Sequence, residues 1–156
     1  MNLLEHKKAR LTYEVLKEFD AGIELFGFEV KALRAGLGRL DGSHIIARPS
    51  GRRGGFEAWL VGSSIPPYQA ANTPKEYDPV RSRRLLMTKK ELAELAGLES
   101  QKGLTIVPLV VYDRGGLVKV KLAAARGRKK FDKRDVLKKR DAEREIRRTL
   151  KKEERD

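Results

Sequence analysis

The chain has 156 residues, with 35 Lys and Arg against 22 Asp and Glu, a net charge of +13. There is no cysteine, which excludes disulfides, thiol nucleophiles and thiolate metal sites, and with only His6 and His44 a zinc site would need an unusual carboxylate set. No apolar run approaches the roughly 20 residues that span a bilayer, and Met1 to Arg10 lacks a secretory h-region, so the expectation is a soluble, cytoplasmic protein with no membrane association and a polyanionic partner.

In chain order, the first feature is a basic cluster, His6-Lys7-Lys8-Ala9-Arg10, followed by Tyr13. Tyr13 to Leu25 reads as extended, with Asp20-Ala21-Gly22 as a bend. Phe28 to Arg34 reads as a short helix stopped at Gly36, in which Glu29 is a salt-bridge partner rather than a general base. Gly36 to Gly42 superficially resembles a phosphate loop. It lacks the lysine-threonine end and follows a helix rather than a strand, so its glycines are read as turn residues. Ser43 to Arg48 and Phe56 to Val61 form a predicted hairpin across the Pro49–Gly55 connection, with His44 packed or at an edge.

Pro66 to Pro79 is a long irregular connection, followed by a second basic cluster, Arg81-Ser82-Arg83-Arg84. Thr88 to Ala96 predicts a helix with Thr88 as N-cap, Glu91 at the capping-box position and Gly97 closing it. Thr105 to Tyr112 and Leu117 to Ala125 predict a hairpin around Asp113-Arg114-Gly115-Gly116. In its second strand Val118, Val120, Leu122 and Ala124 face inward, and Lys119 and Lys121 face outward. Pro108 cannot donate to a ladder and needs an edge or a bulge.

The last thirty residues, 127–156, hold fourteen basic and eight acidic residues. Their bulky apolar residues are Phe131, Val136, Leu137, Ile146 and Leu150, too few to offset the entropy of ordering the segment. Ala142, Ile146 and Leu150 recur every fourth residue and share a helical face. The expectation is a tail that is disordered or helical, gaining its helix on a surface that supplies counter-charge. At its start, Arg126 to Arg134 interleaves Phe131 with cations. Such a run can hold phosphates with its cations and stack its ring on an unpaired base, the alternative being a solvated face.

The fold class expected is mainly β with short helices (α+β): an OB-like antiparallel barrel over 1–126 and a basic tail over 127–156. No catalytic constellation is present, so no enzyme activity and no cofactor are expected. Three basic clusters and a lysine-faced strand favour an RNA or DNA surface. The rivals are a general ribosomal or RNA-chaperone protein of the same architecture and an RNA-modifying enzyme.

The ordered set Lys7-Lys8-Ala9-Arg10, Tyr13, Asp20-Ala21-Gly22-Ile23, Gly27 to Gly36, Pro67-Tyr68, Asp78-Pro79, Arg81 to Leu86, Lys102 to Leu109, Ala125 to Lys130, Asp132-Lys133-Arg134 and Lys139-Arg140-Asp141 strongly resembles the SsrA-binding protein family, small protein B (SmpB). The resemblance implies binding of transfer-messenger RNA (tmRNA, SsrA RNA) and its delivery to stalled ribosomes for trans-translation, the tagging of incomplete proteins for degradation. It implies an OB-like body that binds the tRNA-like part of the RNA. It also implies a tail that enters the decoding region of the small subunit and the empty mRNA path, becoming helical there.

By the same resemblance, Lys7, Lys8, Arg10, Tyr13, Asp20, Ala21 and Gly22 lie in the tmRNA-binding region, to which the lysine face adds Lys119 and Lys121. Gly127, Arg128, Lys129, Lys130, Asp132, Lys133 and Arg134, with Lys138, Lys139 and Arg140 beyond them, form the ribosome-binding tail, where Phe131 can stack on ribosomal RNA. The family usually has Asn, His and Glu where His6, Leu11 and Asp20 stand. The protein is expected to be a monomer whose partners are tmRNA and the ribosome.

Overall fold

The structure, a computed structural model, describes the backbone of residues 1–51, 54–128 and 130–155, and the side chains of these except at 130–133, 135, 136 and 152–155. Its elements are β1 (Asn2–Glu5), α1 (Ala9–Thr12), β2 (Tyr13–Ile23), α2 (Gly27–Arg34), β3 (His44–Pro49), β4 (Phe56–Val61), β5 (Arg83–Leu86), α3 (Lys89–Glu99), β6 (Leu104–Arg114), β7 (Leu117–Gly127) and α4 (Lys130–Arg155). A single 3₁₀ turn, Ala70–Asn72, interrupts the 66–79 connection.

All strand pairings are antiparallel. They run β6–β3–β4–β5–β2–β7, and β7 pairs with β6 again, with β1 added alongside β6. The ladder therefore returns to its starting strand. Period-2 alternation turns Ile45, Ala58, Leu60, Leu85, Ile106, Val111, Val120 and Leu122 inward, where they form the main core with Phe19 and Ala21 of β2, Ala32 and Leu33 of α2 and Leu95 of α3. Gly115 and Gly116 take φ of 60° and 85°, which lets two residues reverse β6 into β7.

Both predicted hairpins form, and the 43–61 pair keeps its register from His44↔Val61 to Pro49↔Phe56. Pro108 sits at a register shift between Pro108 and Val110, the bulge alternative. It is not an edge, since β6 pairs with three strands. Thr88 caps α3 as expected: its hydroxyl accepts from the Glu91 amide, and the Glu91 carboxylate accepts from the Thr88 amide.

Four local expectations are corrected. The Asp20–Gly22 step is no bend: β2 continues through it, pairing Asp20 with Lys121 and Gly22 with Lys119. The irregularity falls instead between Val15 and Lys17. Helix α3 runs through Gly97 and ends at the Ser100 cap, because an exposed glycine costs a helix only about 1 kcal/mol. Strand β7 does not keep one solvent face. Ala123 and Ala125 are also buried, in a second small core with Ala9, Val107 and Leu109 beneath α1. The run Arg81–Arg84 is not a uniform basic surface, because Arg83 opens β5 with its side chain fully buried.

The tail is a single 26-residue helix that contacts α1 at its start. Leu137, Ile146 and Leu150 are about half exposed on it.

Candidate nucleic-acid interface

Buried Glu29 fixes the frame on which the surface is built. Helix α2 carries it into the interior, where Arg83 Nε lies 2.8 Å and Arg83 Nη2 2.7 Å from Glu29 Oε2. Arg81 forms a second ion pair with Glu29 Oε1. The Phe26 amide donates to the same carboxylate at 2.8 Å, and the Tyr77 hydroxyl lies 2.8 Å from Oε2. Arg83 also donates to the carbonyls of Ser63, Pro79 and Arg81. Burial alone would raise the Glu29 carboxyl. Hydrogen bonds from Arg81, Phe26, Tyr77 and Arg83 outweigh it and hold the group below the usual carboxylate range. Burial, then the bond to Glu29 and its charge, pushes the Tyr77 phenol up to about 12.

This network ties α2, β5 and the 66–82 connection together. Every donor has an acceptor, so Glu29 is the salt-bridge partner expected and Arg83 is withdrawn from any RNA surface.

Ala9 is 1% exposed and pins α1 to Ala123 and Ala125. With Ala9 inward, Lys7, Lys8 and Arg10 stand in solvent on the opposite side. Arg10 donates to Glu18 Oε1 at 2.9 Å, and Lys121 Nζ lies 3.9 Å from Glu18 Oε2. One carboxylate thus joins cations that lie 111 positions apart in the chain. Asp20 is exposed beside Lys121, and Tyr112 donates its hydroxyl to Asp20 at 2.9 Å. Burial and that bond raise the Tyr112 phenol. Lys119 lies in register with both Gly22 and Tyr112.

The outer face of β2, β7 and β6 therefore gathers Arg10, Glu18, Asp20, Tyr112, Lys119 and Lys121. Ala21 faces the core at 1% exposure and positions its two neighbours. Gly22 is close-packed: a Cβ there would stand 3.2 Å from the Leu86 Cβ. Beside it Leu86 and Leu117, 50% and 66% exposed, border an apolar hollow of about 320 Å³ that also reaches Lys119.

A larger cleft, about 600 Å³, opens where α1 meets β3. Its walls carry Lys8 and Tyr13 together with His6, Asp41 and His44. His44, expected to be packed or at an edge, is exposed at the start of β3. Tyr112, Leu86, Leu117 and Asp41 carried no site assignment in the sequence reading, and His44 only that of a packed or edge histidine. For Tyr112 the signal was present, because it lies three residues before the Gly115-Gly116 turn and so opposite the lysine strand. Leu86 and the His44 cleft depend on pairings between distant segments.

The tail residues divide into two groups. Gly127 pairs with Tyr13, and the Arg128 amide donates to Thr12 O at 2.8 Å. Arg128 Nε lies 3.1 Å from Arg10 O and 3.2 Å from Tyr13 O. Arg128 clamps the α1–β2 junction, so it belongs structurally to the body. Arg134, Lys138 and Lys139 are exposed on α4 and Arg140 is half-exposed. Lys129, and the side chains of Lys130, Phe131, Asp132 and Lys133, lie outside the described residues, as does the Arg52-Arg53 part of the β3–β4 connection. Among the described residues no cluster of His, Cys, Asp or Glu fits a metal ion, and no helix is long and apolar enough to cross a membrane.

Comparison with known proteins finds a family model, curated relatives and a solved structure similar to this chain. The family model for SmpB protein matches residues 3–152. The SsrA-binding protein of Gloeothece citriformis is 42% identical over 149 residues, covering 96% of this chain and 92% of its own. That of Thermosynechococcus vestitus is 45% identical over 150 residues, covering 96% and 94%. A chain from a solved structure described as "tmRNA-SmpB: a journey to the center of the bacterial ribosome" superposes with a TM-score of 0.63 at 40% identity, covering 88% of this chain and 95% of its own.

Proposed function

The chain belongs to the SmpB family, the SsrA-binding proteins, and from that premise we propose that it is a two-part adaptor that binds tmRNA and carries it to stalled ribosomes for trans-translation. The closed ladder of strands is an OB-like barrel in this reading, and it holds a structured RNA by shape and phosphate contacts. The N-terminal cations Lys7, Lys8 and Arg10, with Tyr13, flank one side of the RNA. Asp20, Gly22, Lys119 and Lys121 continue the same face.

The observation that carries the reading is the gathering of Arg10 and Lys121 around Glu18, beside the Asp20–Tyr112 pair, in a chain matched to the family along almost its whole length. Sequence-distant cations brought to one face are what a phosphate surface requires. A solvated charged shell does not require it. Helix α4 is the ribosomal element: its cations face rRNA phosphates in the decoding region and the empty mRNA path, while Ile146 and Leu150 pack on local surface there. The chemistry is recognition throughout, with no catalytic step and no cofactor, and the working place is the cytoplasm.

Competition between tmRNA and bulk tRNA for the full chain tests this reading. Selective retention of tmRNA at equal mass supports it. Equal retention of both RNAs overturns it in favour of a general RNA chaperone.

A further inference from the structure

The outer face of β3, β4 and β5 is a part of the sheet separate from the β2–β7–β6 face. At its centre is Trp59, the only tryptophan in the chain. It is half-buried, in register with Ile46 on one side and Arg84 on the other. Its neighbours in the strand, Ala58 and Leu60, face the core, so the indole faces outward. There it forms one wall of an open groove of about 390 Å³ with His44, Ile46, Arg48, Val61 and Ser82.

Cross-strand packing against Ile46, with Val61 beside it along β4, explains why an aromatic is stable at this position. It does not explain why the groove stays open or why cations flank it. Arg48 is exposed. Arg84 keeps 46% of its side chain exposed and reaches Glu57, the nearby carboxylate, only at 3.8 Å. A flat ring with arginines on two sides fits a nucleobase with its flanking phosphates: the ring takes the base face and the guanidiniums take the anions. A hydrophobic peptide would leave the two arginines only the single carboxylate of Glu57, in register with Arg48 and 3.8 Å from Arg84. His44 borders this groove and also the cleft that holds Lys8 and Tyr13. The two hollows adjoin, so an RNA strand held at the N-terminal cluster has a path across β3 to the indole.

We propose that this groove is an additional RNA contact, in which an unpaired nucleotide of the bound tmRNA stacks on Trp59 with its neighbouring phosphates at Arg48 and Arg84. The proposal rests on the tmRNA reading, and the experiment separates the two.

The full chain is titrated with tmRNA, following retention of the RNA and tryptophan emission together; with one tryptophan, the emission reports this groove alone. The expected result is a saturable fall in emission in step with retention. Trp59→Leu weakens tmRNA binding by about 5- to 100-fold, whereas Trp59→Phe, which keeps a ring, restores most of the affinity. Arg84→Ala, at an exposed side chain, lowers the log–log salt slope by about 0.7 to 0.9. Melting curves confirm that each variant is folded. Retention of tmRNA with unchanged emission, or with unchanged affinity in folded Trp59→Leu, overturns the groove and leaves the family reading intact. Failure of the full chain to retain tmRNA at all overturns both.

Discussion

Single residues decide whether each basic cluster faces solvent or the interior, and Arg83 is the clearest case. As sequence it is one of three arginines within four positions. In the fold it is the charge that makes a fully buried Glu29 tolerable. Removing one partner of such a pair leaves an uncompensated buried charge, a loss of about 3–5 kcal/mol. Glu29→Gln is therefore expected to lower the urea midpoint markedly without touching any exposed cation.

The pH dependence follows from the direction of the shift. Glu29 is held below its unfolded value of about 4.3. Its contribution is complete above that value and disappears as pH falls through the lower folded value. The phenol of Tyr77, raised to about 12, contributes fully below its unfolded value of about 10 and loses that contribution as pH rises toward 12. Melting temperature measured against pH should show both limbs in the parent, and the acid limb should be absent in Glu29→Gln. Lys121 belongs to the other class, half-exposed on the face proposed to meet the RNA. Lys121→Ala should leave the melting temperature unchanged and flatten the log–log salt dependence of tmRNA binding by about 0.7 to 0.9.

At the scale of elements, what was legible in sequence was what local physics determines. The β6–β7 hairpin announces itself by β-branched runs around a two-glycine turn. Helix α3 announces itself by Thr88 and Glu91. Strands β1 and β5 and helix α1 have four residues each, too short for a period to register, and they exist because distant segments pair with or cover them. Strand β5 was further disguised by its arginines. Helix α1 could be inferred only from the alanines that receive it, and small residues at 123–125 read equally well as a plain strand end. That seat predicts a result. Ala125→Leu puts a large side chain where Ala9 and Val107 already pack, an overpacking cost of about 1–3 kcal/mol. Denaturant melts should show that loss. The tmRNA affinity should fall with it, because Lys7, Lys8 and Arg10 are placed by α1. Unchanged affinity in the folded variant would separate the N-terminal cations from the RNA.

Across the whole molecule, a ring of strands with two satisfied cores stands beside a long cationic helix on which Leu137, Ile146 and Leu150 are about half exposed. The charge of +13 is shared between them, but only the body brings distant cations together on one face. Gly127 and Arg128 hold the α1–β2 junction, so a truncation that spares these contacts ends at Arg128. The most direct measurement is tmRNA affinity and ribosomal tagging for a chain ended at Arg128, compared with the full chain. The expected outcome is tmRNA binding within about threefold of the full chain, as suits a helix outside the phosphate face, and complete loss of tagging. A chain that ends at Arg128 and still tags, or that loses most of its tmRNA affinity while remaining folded, would contradict the account.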